Sequence, residues 1–557
     1  MKTDRKLYMA LVLLLAWLVS TPLSAQRRTM RDEGPRLYGD MLTVRNPRPG
    51  GLKSLITTDM KKRARRLTIE GALNKDDAYV LRSICNRSSC QDDRGKHIDN
   101  YVEIDLTRAS IESSYNNDRD VTHEGMFSNA SHLRSIRLPR RLVGIGPRTF
   151  SGCDRLDEVE IPRGVRFIDK EAFKGCTKLQ DIWLPEGLEE IGKECFRGCT
   201  SLRAIQLPTS LLTIGDQAFY ECPLTELELP EGLRSLGKGS ISATQLRQLH
   251  IPRDTHIEGG LPGATPKLEQ ITVDRANREY SSIDGVLYDR GQTVLLEMPL
   301  ARQGAYTIPG SVSEIGDYAF QDSRLSHIVI PSSVSVIGTG AFRNCAGIQE
   351  LTIPAGVREI PSHAFSGCKS LRRIVLPDGI QAFGSFAFSN CLVLADFRMP
   401  SQLRKLGEDC FRSCRAFQKP QLPEGITELP ARCFIDCKGI TIFRFPSRLT
   451  AIGDEAFKGC DLLAALPFPK TLRSIGNEVF RSCLSLVEVT LPASLQKIGK
   501  KPFLKCDKLQ RIICESPTPP ELKHYSDKEV ILKVPSGSAG SYKKASQWKK
   551  YKTIEEY

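Results

Sequence analysis

The sequence predicts a β-rich repeat solenoid, and the evidence is one phrase that recurs from residue 127 onward. It can be read from Pro139 to Pro162, with the skeleton P-x-x-L-x-x-I-G-x-x-A-F-x-G-C-x-x-L-x-x-I-x-L and a period of 23 residues. Its proline recurs at Pro139, Pro162, Pro185, Pro208, Pro230, Pro252, Pro309, Pro331, Pro354, Pro377, Pro400, Pro423, Pro446, Pro469 and Pro492. Its phenylalanine recurs at Phe150, Phe173, Phe196, Phe219, Phe320, Phe342, Phe365, Phe388, Phe411, Phe434, Phe457, Phe480 and Phe503. Such regular repeats build solenoids, in which each coil buries its apolar side on its neighbours.

Each position of the phrase has a structural interpretation. The L-x-x-I-x-L segment, as in residues 371–376, ends in the apolar alternation of a half-buried strand. Stacked coils would pair these strands into one parallel sheet, and the following proline ends the strand because it cannot donate to the ladder. The Ile315-Gly316 type of pair predicts an apolar anchor followed by a tight bend. The Ala456-Phe457 type of pair places a small residue beside a large one, so that the far side of each coil can pack inward.

The repeated phrase resembles the BspA-like leucine-rich repeats of bacterial surface proteins. The N-terminal phrases Leu67-Thr68-Ile69-Glu70-Gly71 and Ile104-Asp105-Leu106 look like the cap of that family. The C-terminal phrase Leu532-Lys533-Val534-Pro535, followed by Trp548, looks like its closing segment. The resemblance implies a right-handed leucine-rich-repeat coil. Its parallel sheet would form the concave face, and short irregular or helical turns would form the convex face.

These features predict seven segments along the chain. They are 1–25 as a signal peptide, 26–50 as a linker, 51–126 as the N-terminal cap, 127–252 as repeats, 253–308 as an irregular insertion, 309–514 as repeats and 515–557 as the C-terminal cap. Within the insertion, Asp284-Gly285 lies between apolar residues and predicts a hairpin turn.

The first 25 residues have the organisation of a secretory signal. Lys2, Arg5 and Lys6 precede an apolar run over 7–19, and Ser24-Ala25 offers a small-residue cleavage site. The run is shorter than the roughly 20 residues that span a bilayer, which favours cleavage over a membrane anchor. We therefore expect a bacterial secreted or cell-surface protein with no transmembrane segment after cleavage, and a periplasmic location is the alternative.

The formal net charge of +14 favours contact with anionic surfaces, although lysine and arginine also solvate a long rod. Basic residues concentrate in residues 61–66 and in a tail that contains Lys543, Lys544, Lys549, Lys550 and Lys552. Nucleic-acid binding is not expected, because basic and aromatic residues do not interleave in a recognisable motif. The oligomeric state does not follow from the sequence.

Twelve of the 18 cysteines share one repeat position, three residues after the phenylalanine. They are Cys153, Cys176, Cys199, Cys222, Cys345, Cys368, Cys391, Cys414, Cys437, Cys460, Cys483 and Cys506. Because Ala130 and Ser323 fill the same position in other coils, we expect small buried thiols there rather than disulfides. Export would permit disulfides.

The remaining cysteines suggest two other pairings. Cys85 and Cys90 lie close together in the N-terminal cap and are candidates for a local disulfide. Cys410 and Cys433 lie one coil apart at the alanine position. A bridge between them is possible, but simple replacement of alanine is the preferred interpretation. Zinc is not expected, because paired C-x-x-C motifs with partner ligands are absent from the sequence.

The sequence contains no catalytic or phosphate-binding motif of the common kinds, so neither an enzyme nor a cofactor is expected. The family resemblance implies adhesion to protein or glycan ligands outside the cell, such as host matrix proteins, host cells or other bacteria. The alternative is a scaffold that joins proteins within the envelope.

The outward positions of the predicted sheet change charge along the chain. One column runs Glu160, Trp183, Gln206, Glu228, His250, Val329, Thr352, Val375, Arg398, Gln421, Arg444, Pro467 and Thr490. The other runs Glu158, Asp181, Ala204, Glu226, Gln248, His327, Glu350, Arg373, Asp396, Lys419, Ile442, Ala465 and Glu488. Because tryptophan and arginine dominate interface energetics, we hypothesise a binding site comprising Trp183, Arg373, Arg398, Lys419 and Arg444. A solvated face whose sequence has drifted is the alternative.

Overall fold

The computed structural model describes residues 34–86, 101–112, 120–261, 265–524 and 529–557. Over these residues the chain winds into a β-solenoid of about 21 turns, with mostly parallel sheets and little helix. The predicted fold class is confirmed. Successive coils stack because each leaves apolar side chains and backbone hydrogen-bonding groups that the next coil covers.

Helices occur only near the two ends of the described chain. They are α1 (Leu52–Leu55), α2 (Thr58–Arg63), α3 (Lys75–Cys85), α4 (Ala539–Lys544) and a 3-10 helix (Trp548–Lys550). Helix α3 begins with a capping box, in which the Asn74 side chain accepts from the backbone of Asp77 and Asp77 accepts from that of Asn74.

The strands before the hairpin are short and fall into two series. They are β1 (Arg36–Tyr38), β2 (Met41–Asn46), β3 (Arg66–Leu73), β4 (Val102–Ile111), β5 (Leu133–Arg137), β6 (Gly144–Ile145), β7 (Glu158–Glu160), β8 (Phe167–Ile168), β9 (Glu190–Ile191), β10 (Thr213–Ile214), β11 (Ser235–Leu236), β12 (Gln248–Ile251), β13 (His256–Ile257) and β14 (Gln270–Val273). The first series precedes the repeat proline and pairs in the order β2-β3-β4-β5-β7, with a separate pair β12-β14. We call this series the front ladder.

The later strands continue the same arrangement. They are β15 (Tyr280–Ile283), β16 (Val286–Asp289), β17 (Val294–Glu297), β18 (Gln303–Thr307), β19 (Glu314–Ile315), β20 (Arg324–Val329), β21 (Val336–Ile337), β22 (Glu350–Thr352), β23 (Glu359–Ile360), β24 (Arg373–Val375), β25 (Ala382–Phe383), β26 (Asp396–Phe397), β27 (Lys405–Leu406), β28 (Glu428–Leu429), β29 (Ala451–Ile452), β30 (Ser474–Ile475), β31 (Glu488–Leu491), β32 (Lys497–Lys500), β33 (Arg511–Cys514), β34 (Glu521–His524), β35 (Ile531–Val534) and β36 (Thr553–Glu556). In this half the front ladder consists of β18-β20, β22-β24-β26 and β31-β33-β35-β36.

A second ladder, which the sequence analysis did not predict, is made of the strands that end just before the repeat glycine. Strands β6, β8, β9, β10, β11 and β13 pair in this way, as do β23-β25-β27 and β28-β29-β30-β32-β34. A tight turn starts at this glycine, as expected, since the Cys195 N–H donates to the Gly192 carbonyl at 3.2 Å, although Gly192 and Gly215 do not adopt left-handed backbone angles. A Cβ on Gly192 would lie 2.6 Å from the backbone nitrogen of Lys170 in the preceding coil. The missing side chain of Gly192 therefore permits close approach between these two coils.

The Ala-Phe turns form a third ladder on the opposite side of each coil. The Phe150 N–H donates to the Ala172 carbonyl at 2.7 Å, and the Gly152 N–H donates to the Lys174 carbonyl at 2.7 Å. Comparable bonds recur from coil to coil, so these turns are as regular as the strands. We call this series the back ladder.

The N-terminal end differs from the predicted linker over residues 26–50. Within the described part of that range, β2 pairs in parallel with β3, and β1 pairs with β2. The buried Asp77 carboxylate also accepts from the N–H of Gly50 at 2.6 Å and of Leu52 at 2.9 Å. These backbone bonds incorporate the segment into the N-terminal cap, so its interpretation as a linker is wrong for residues 36–46.

Stacked phenylalanine rings run through the core of each half. The rings of Phe127 to Phe219 form one series, and those of Phe320 to Phe503 form another, with centroids 5.1 Å apart at the closest pairs. The insertion separates the two series and divides the apolar core into two clusters. Leu287 packs in the N-terminal cluster, whereas its neighbour Tyr288 packs in the C-terminal one.

The predicted hairpin lies at this division. Strands β15 and β16 pair antiparallel, and Ile283 faces Val286 across the turn. Asp284 and Gly285 have φ angles of 48° and 75°, which are the positive values that a tight two-residue turn of this kind requires.

Candidate binding face

The outward side chains of the front ladder form the face that the sequence analysis proposed for binding, and we call it the front face. Trp183 is 54% exposed there, an unusual position for the largest apolar side chain. Arg373, Arg398, Lys419 and Arg444 are also exposed on this face. The predicted residues therefore share one face, but Trp183 lies several coils away from the four cations.

The front ladder opens at the coil that carries Trp183. The described backbone of residues 181–184, 204–207 and 226–229 makes no ladder hydrogen bond across the front. The same coils stay hydrogen-bonded in the other two ladders. In the second ladder the Gly215 N–H donates to the Ile191 carbonyl at 2.8 Å, and in the back ladder the Phe196 N–H donates to the Ala218 carbonyl at 2.8 Å. The opening leaves a groove beside Trp183, lined by Asp181, Ala204 and Gln206 among others.

The four cations occupy neighbouring positions in the two outward columns, and we call them the cationic group. Arg398 and Arg444 are two coils apart in one column. Gln421 lies between them, and its backbone pairs with that of Arg444 in an isolated parallel β-bridge. Lys419 lies two coils beyond Arg373 in the other column. At roughly 4.8 Å per coil, each pair of Cα atoms is about 10 Å apart. The described residues offer no ion pair to Arg398, Lys419 or Arg444, so their charges face solvent.

Exposed apolar side chains border the cationic group, and the sequence analysis gave them no role. Val375 precedes Arg398 by one coil and is 42% exposed, and Ile442 follows Lys419 by one coil and is 46% exposed. The signal was available, because both are β-branched residues at outward positions where a solvated strand favours polar side chains. Together they give the charged area an apolar border.

The N-terminal half of the front face carries acidic residues that are partly paired. The Arg137 Nε lies 3.3 Å from the Glu160 Oε2, and the Arg247 Nη2 lies 2.5 Å from the Glu269 Oε1. Both ion pairs join neighbouring coils. All four side chains are exposed, so each pair contributes at most about 1 kcal/mol. Pairing reduces the negative charge of this half, whereas Arg398, Lys419 and Arg444 keep their positive charge.

Comparison with protein families places the chain among known repeat proteins. The family described as the BspA type leucine rich repeat region matches residues 116–196, 168–282, 304–418 and 409–519, which together make up more than half of the chain. The chain belongs to this BspA-type family. The resemblance found in the sequence is thereby confirmed.

Solved structures similar to this BspA-type protein include three from bacteria. A leucine-rich cell surface protein of Faecalibacterium prausnitzii is 21% identical over 77% of this chain and 95% of its own, with a TM-score of 0.42. A leucine-rich repeat protein of Bacteroides ovatus is 19% identical over 75% and 88%, with a TM-score of 0.31. The pneumococcal vaccine antigen PcpA is 15% identical over 95% and 98%, with a TM-score of 0.31. Comparison with curated proteins gives no match.

The repeat cysteines of this BspA-type protein are buried thiols that donate hydrogen bonds between coils. The Cys176 thiol donates to the Phe150 carbonyl at 3.2 Å, and the Cys391 thiol donates to the Phe365 carbonyl at 3.1 Å. Burial raises the pKa of the Cys153 thiol to about 12 and raises the pKa of Cys176 as well. These two thiols therefore stay protonated at neutral pH.

The two disulfides considered from the sequence, Cys410–Cys433 and Cys85–Cys90, are described to different extents. Cys410 and Cys433 are buried without a bridge between them, as preferred. Cys85 is buried at the end of α3, but Cys90 lies outside the described residues, so their disulfide stays a prediction.

The described part of this BspA-type protein contains no group of three or more His, Cys, Asp or Glu side chains placed to hold a metal ion. Within the same ranges, every helix is too short or too polar to cross a bilayer.

Proposed function

We propose that this protein is a secreted or cell-surface binding protein of adhesin type. Its front face would recognise macromolecules outside the cell, such as host matrix proteins or bacterial surface polymers. Family membership supports a binding role, because solenoids present long surfaces that suit recognition of large partners. The absence of a recognisable catalytic motif in the sequence agrees with binding rather than catalysis.

The cationic group with its apolar border is the observation that carries this proposal. Arginine side chains beside exposed apolar side chains are typical of interface centres. Arg398, Lys419 and Arg444, which make no ion pair with the described residues, would also steer anionic partners toward the face and fix their orientation. The groove beside Trp183 supplies a second contact region, which an extended partner could reach along the same face.

The test is solid-phase binding of the full chain to immobilised matrix proteins and sulfated glycans at two salt concentrations. For any ligand that binds, the triple variant Trp183→Ala, Arg398→Ala and Arg444→Ala should weaken binding at least about tenfold, since anchors of this kind cost more than about 1.4 kcal/mol each. The matched control is Tyr38→Ala, Arg404→Ala and Arg473→Ala, which removes an exposed aromatic and two exposed arginines elsewhere. Equal affinity of the two variants would disprove the assignment to the front face.

Location separates the adhesin from an envelope scaffold. Protease added to intact cells should cleave an adhesin, because its front face must be reachable from outside. Protection on intact cells, with cleavage only after the envelope is opened, would favour the scaffold instead.

A further inference from the structure

The last helical segments carry a dense group of lysines. Residues 539–552 contain five lysines and no acidic residue. All five side chains are exposed, on α4, on the 3-10 helix and just beyond it. We call these residues the lysine surface: Lys543, Lys544, Lys549, Lys550 and Lys552.

Buried aromatic residues hold this surface in place. Tyr542, Trp548 and Tyr551 alternate with the lysines along the chain and point inward. The Tyr542 hydroxyl donates to the Ser516 carbonyl at 2.8 Å, and the Trp548 indole donates to the Pro520 carbonyl at 2.8 Å. The Tyr542 and Trp548 rings meet edge to face at 5.4 Å. The lysines therefore project from an ordered surface, although they lie close to the C-terminus.

The other basic run of the sequence, residues 61–66, contains arginines that form close ion pairs within the fold. In the N-terminal cap, Arg65 and Arg66 both bond to Asp40, at 3.1 Å and 2.9 Å. At the C-terminal end, the Lys552 Nζ lies 3.8 Å from the Glu529 Oε1, and both side chains are highly exposed. An exposed pair of this kind neutralises little charge. Lys543 is also near enough to Glu556 for their charges to interact. Lys544, Lys549 and Lys550 make no ion pair with the described residues, so the centre of the lysine surface keeps its positive potential.

We propose that the lysine surface binds the phosphate headgroups of an anionic lipid layer and holds the solenoid by its C-terminal end. The other exposed residues of 539–552 are Gly540, Ser541 and Ser546, so contact would be electrostatic, without insertion of apolar side chains. Lysine is a compact charge on a flexible stem, which suits many scattered phosphates better than one shaped ligand. Clustered lysines attract such layers in an additive, salt-sensitive way. This inference is independent of the cationic group, which lies on other coils.

The experiment is co-sedimentation of the full chain with vesicles of phosphatidylcholine alone or mixed with phosphatidylglycerol. Lys→Gln at all five positions of the lysine surface should weaken binding to the mixed vesicles at least about a hundredfold, because each lysine contributes about fivefold. The control variant carries Lys178→Gln, Lys193→Gln, Lys238→Gln, Lys369→Gln and Lys405→Gln, which removes the same charge from exposed, dispersed positions. It should bind like the wild type. Raising salt from about 0.1 M to about 0.5 M should release the wild type.

Three results would overturn the proposal. The first is equal weakening by the two quintuple variants, which would make net charge the cause. The second is release by millimolar inorganic phosphate, which would indicate a site for a single anion. The third is binding to soluble dextran sulfate through the same lysines without binding to vesicles, which would indicate a polysaccharide partner. Matching denaturation midpoints of both variants would show that folding is intact.

Discussion

The thiol of Cys176 donates a hydrogen bond to the carbonyl oxygen of Phe150, 3.2 Å away in the preceding coil. The same carbonyl also accepts from the N–H of Cys153 at 3.1 Å. Twelve cysteines repeat the thiol contact, each with the phenylalanine of the coil before it. The repeat position therefore suits a small side chain that can donate, which explains why cysteine predominates over alanine.

Loss of this donor should destabilise the protein. Cys391→Ala removes the bond to the Phe365 carbonyl and leaves a small cavity, so the free energy of unfolding should fall by about 1–2 kcal/mol. The comparison variant is Cys195→Ala, because other coils carry alanine at that position. Urea denaturation followed by circular dichroism measures both. Equal stability of Cys391→Ala and the wild type would exclude a role for the thiol bond.

The repeat thiols should resist alkylation in the folded protein. Burial raises the pKa of Cys153 to about 12, so almost no thiolate forms at about pH 8, where an exposed cysteine is partly ionised. Iodoacetamide followed by mass spectrometry should label these cysteines only after denaturant is added. Rapid labelling of the folded chain, or disulfides between repeat cysteines, would contradict the structure.

Close approach between coils should make Gly215 hard to replace, although Asp169, Pro361 and Pro430 fill the same repeat position in other coils. A Cβ on Gly215 would lie 2.5 Å from the Lys193 backbone nitrogen, so Gly215→Ala should cost about 2 kcal/mol or more by forcing the coils apart. Gly310 has no atom within 4 Å of its Cβ position and an ordinary φ angle. Gly310→Ala should therefore change stability by less than about 0.5 kcal/mol. Denaturation midpoints that move equally would refute this assignment.

Stability of the insertion should depend on Glu297. Burial at the end of β17 raises the pKa of this carboxyl well above its usual value. The folded state then holds the proton more tightly than the unfolded state, so the free energy of unfolding falls as pH rises above the ordinary carboxyl pKa.

Glu297→Gln removes that titration. The variant should be more stable than the wild type at about pH 8, and the difference should shrink toward about pH 4, where both side chains are neutral. Denaturant midpoints of the two proteins, compared at each pH, cancel the titration of all other groups. A difference that does not change with pH would contradict the burial of a titrating carboxyl.

Much of the fold follows from the sequence because each coil carries the same residue types at the same positions and therefore folds in the same way. Proline and alternating apolar residues predict the front strands, and Asp284-Gly285 predicts the hairpin that β15 and β16 form. The second ladder was missed because two residues, such as Thr213 and Ile214, are too few to show a strand period. The role of Gly215 was missed because close approach is a property of neighbouring coils, which one coil does not reveal.

The binding face was predictable in outline but not in detail. Alternation places Trp183 and Arg398 outward, and the structure exposes both. The opening of the front ladder beside Trp183 depends on spacing between coils, which the repeat phrase does not encode. The difference between the two basic runs depends on Asp40, which lies 25 residues before Arg65 in sequence.

The division of the core at the hairpin has a mechanical consequence for a protein attached at one end and bound to a partner elsewhere. Tension along the rod would act on two apolar clusters that meet at Leu287 and Tyr288. Each cluster has its own stack of rings and ladders, and the joint between them is the irregular unit. Under a steadily rising pull, the rod should lengthen in two separate steps, with the first extension starting at that joint.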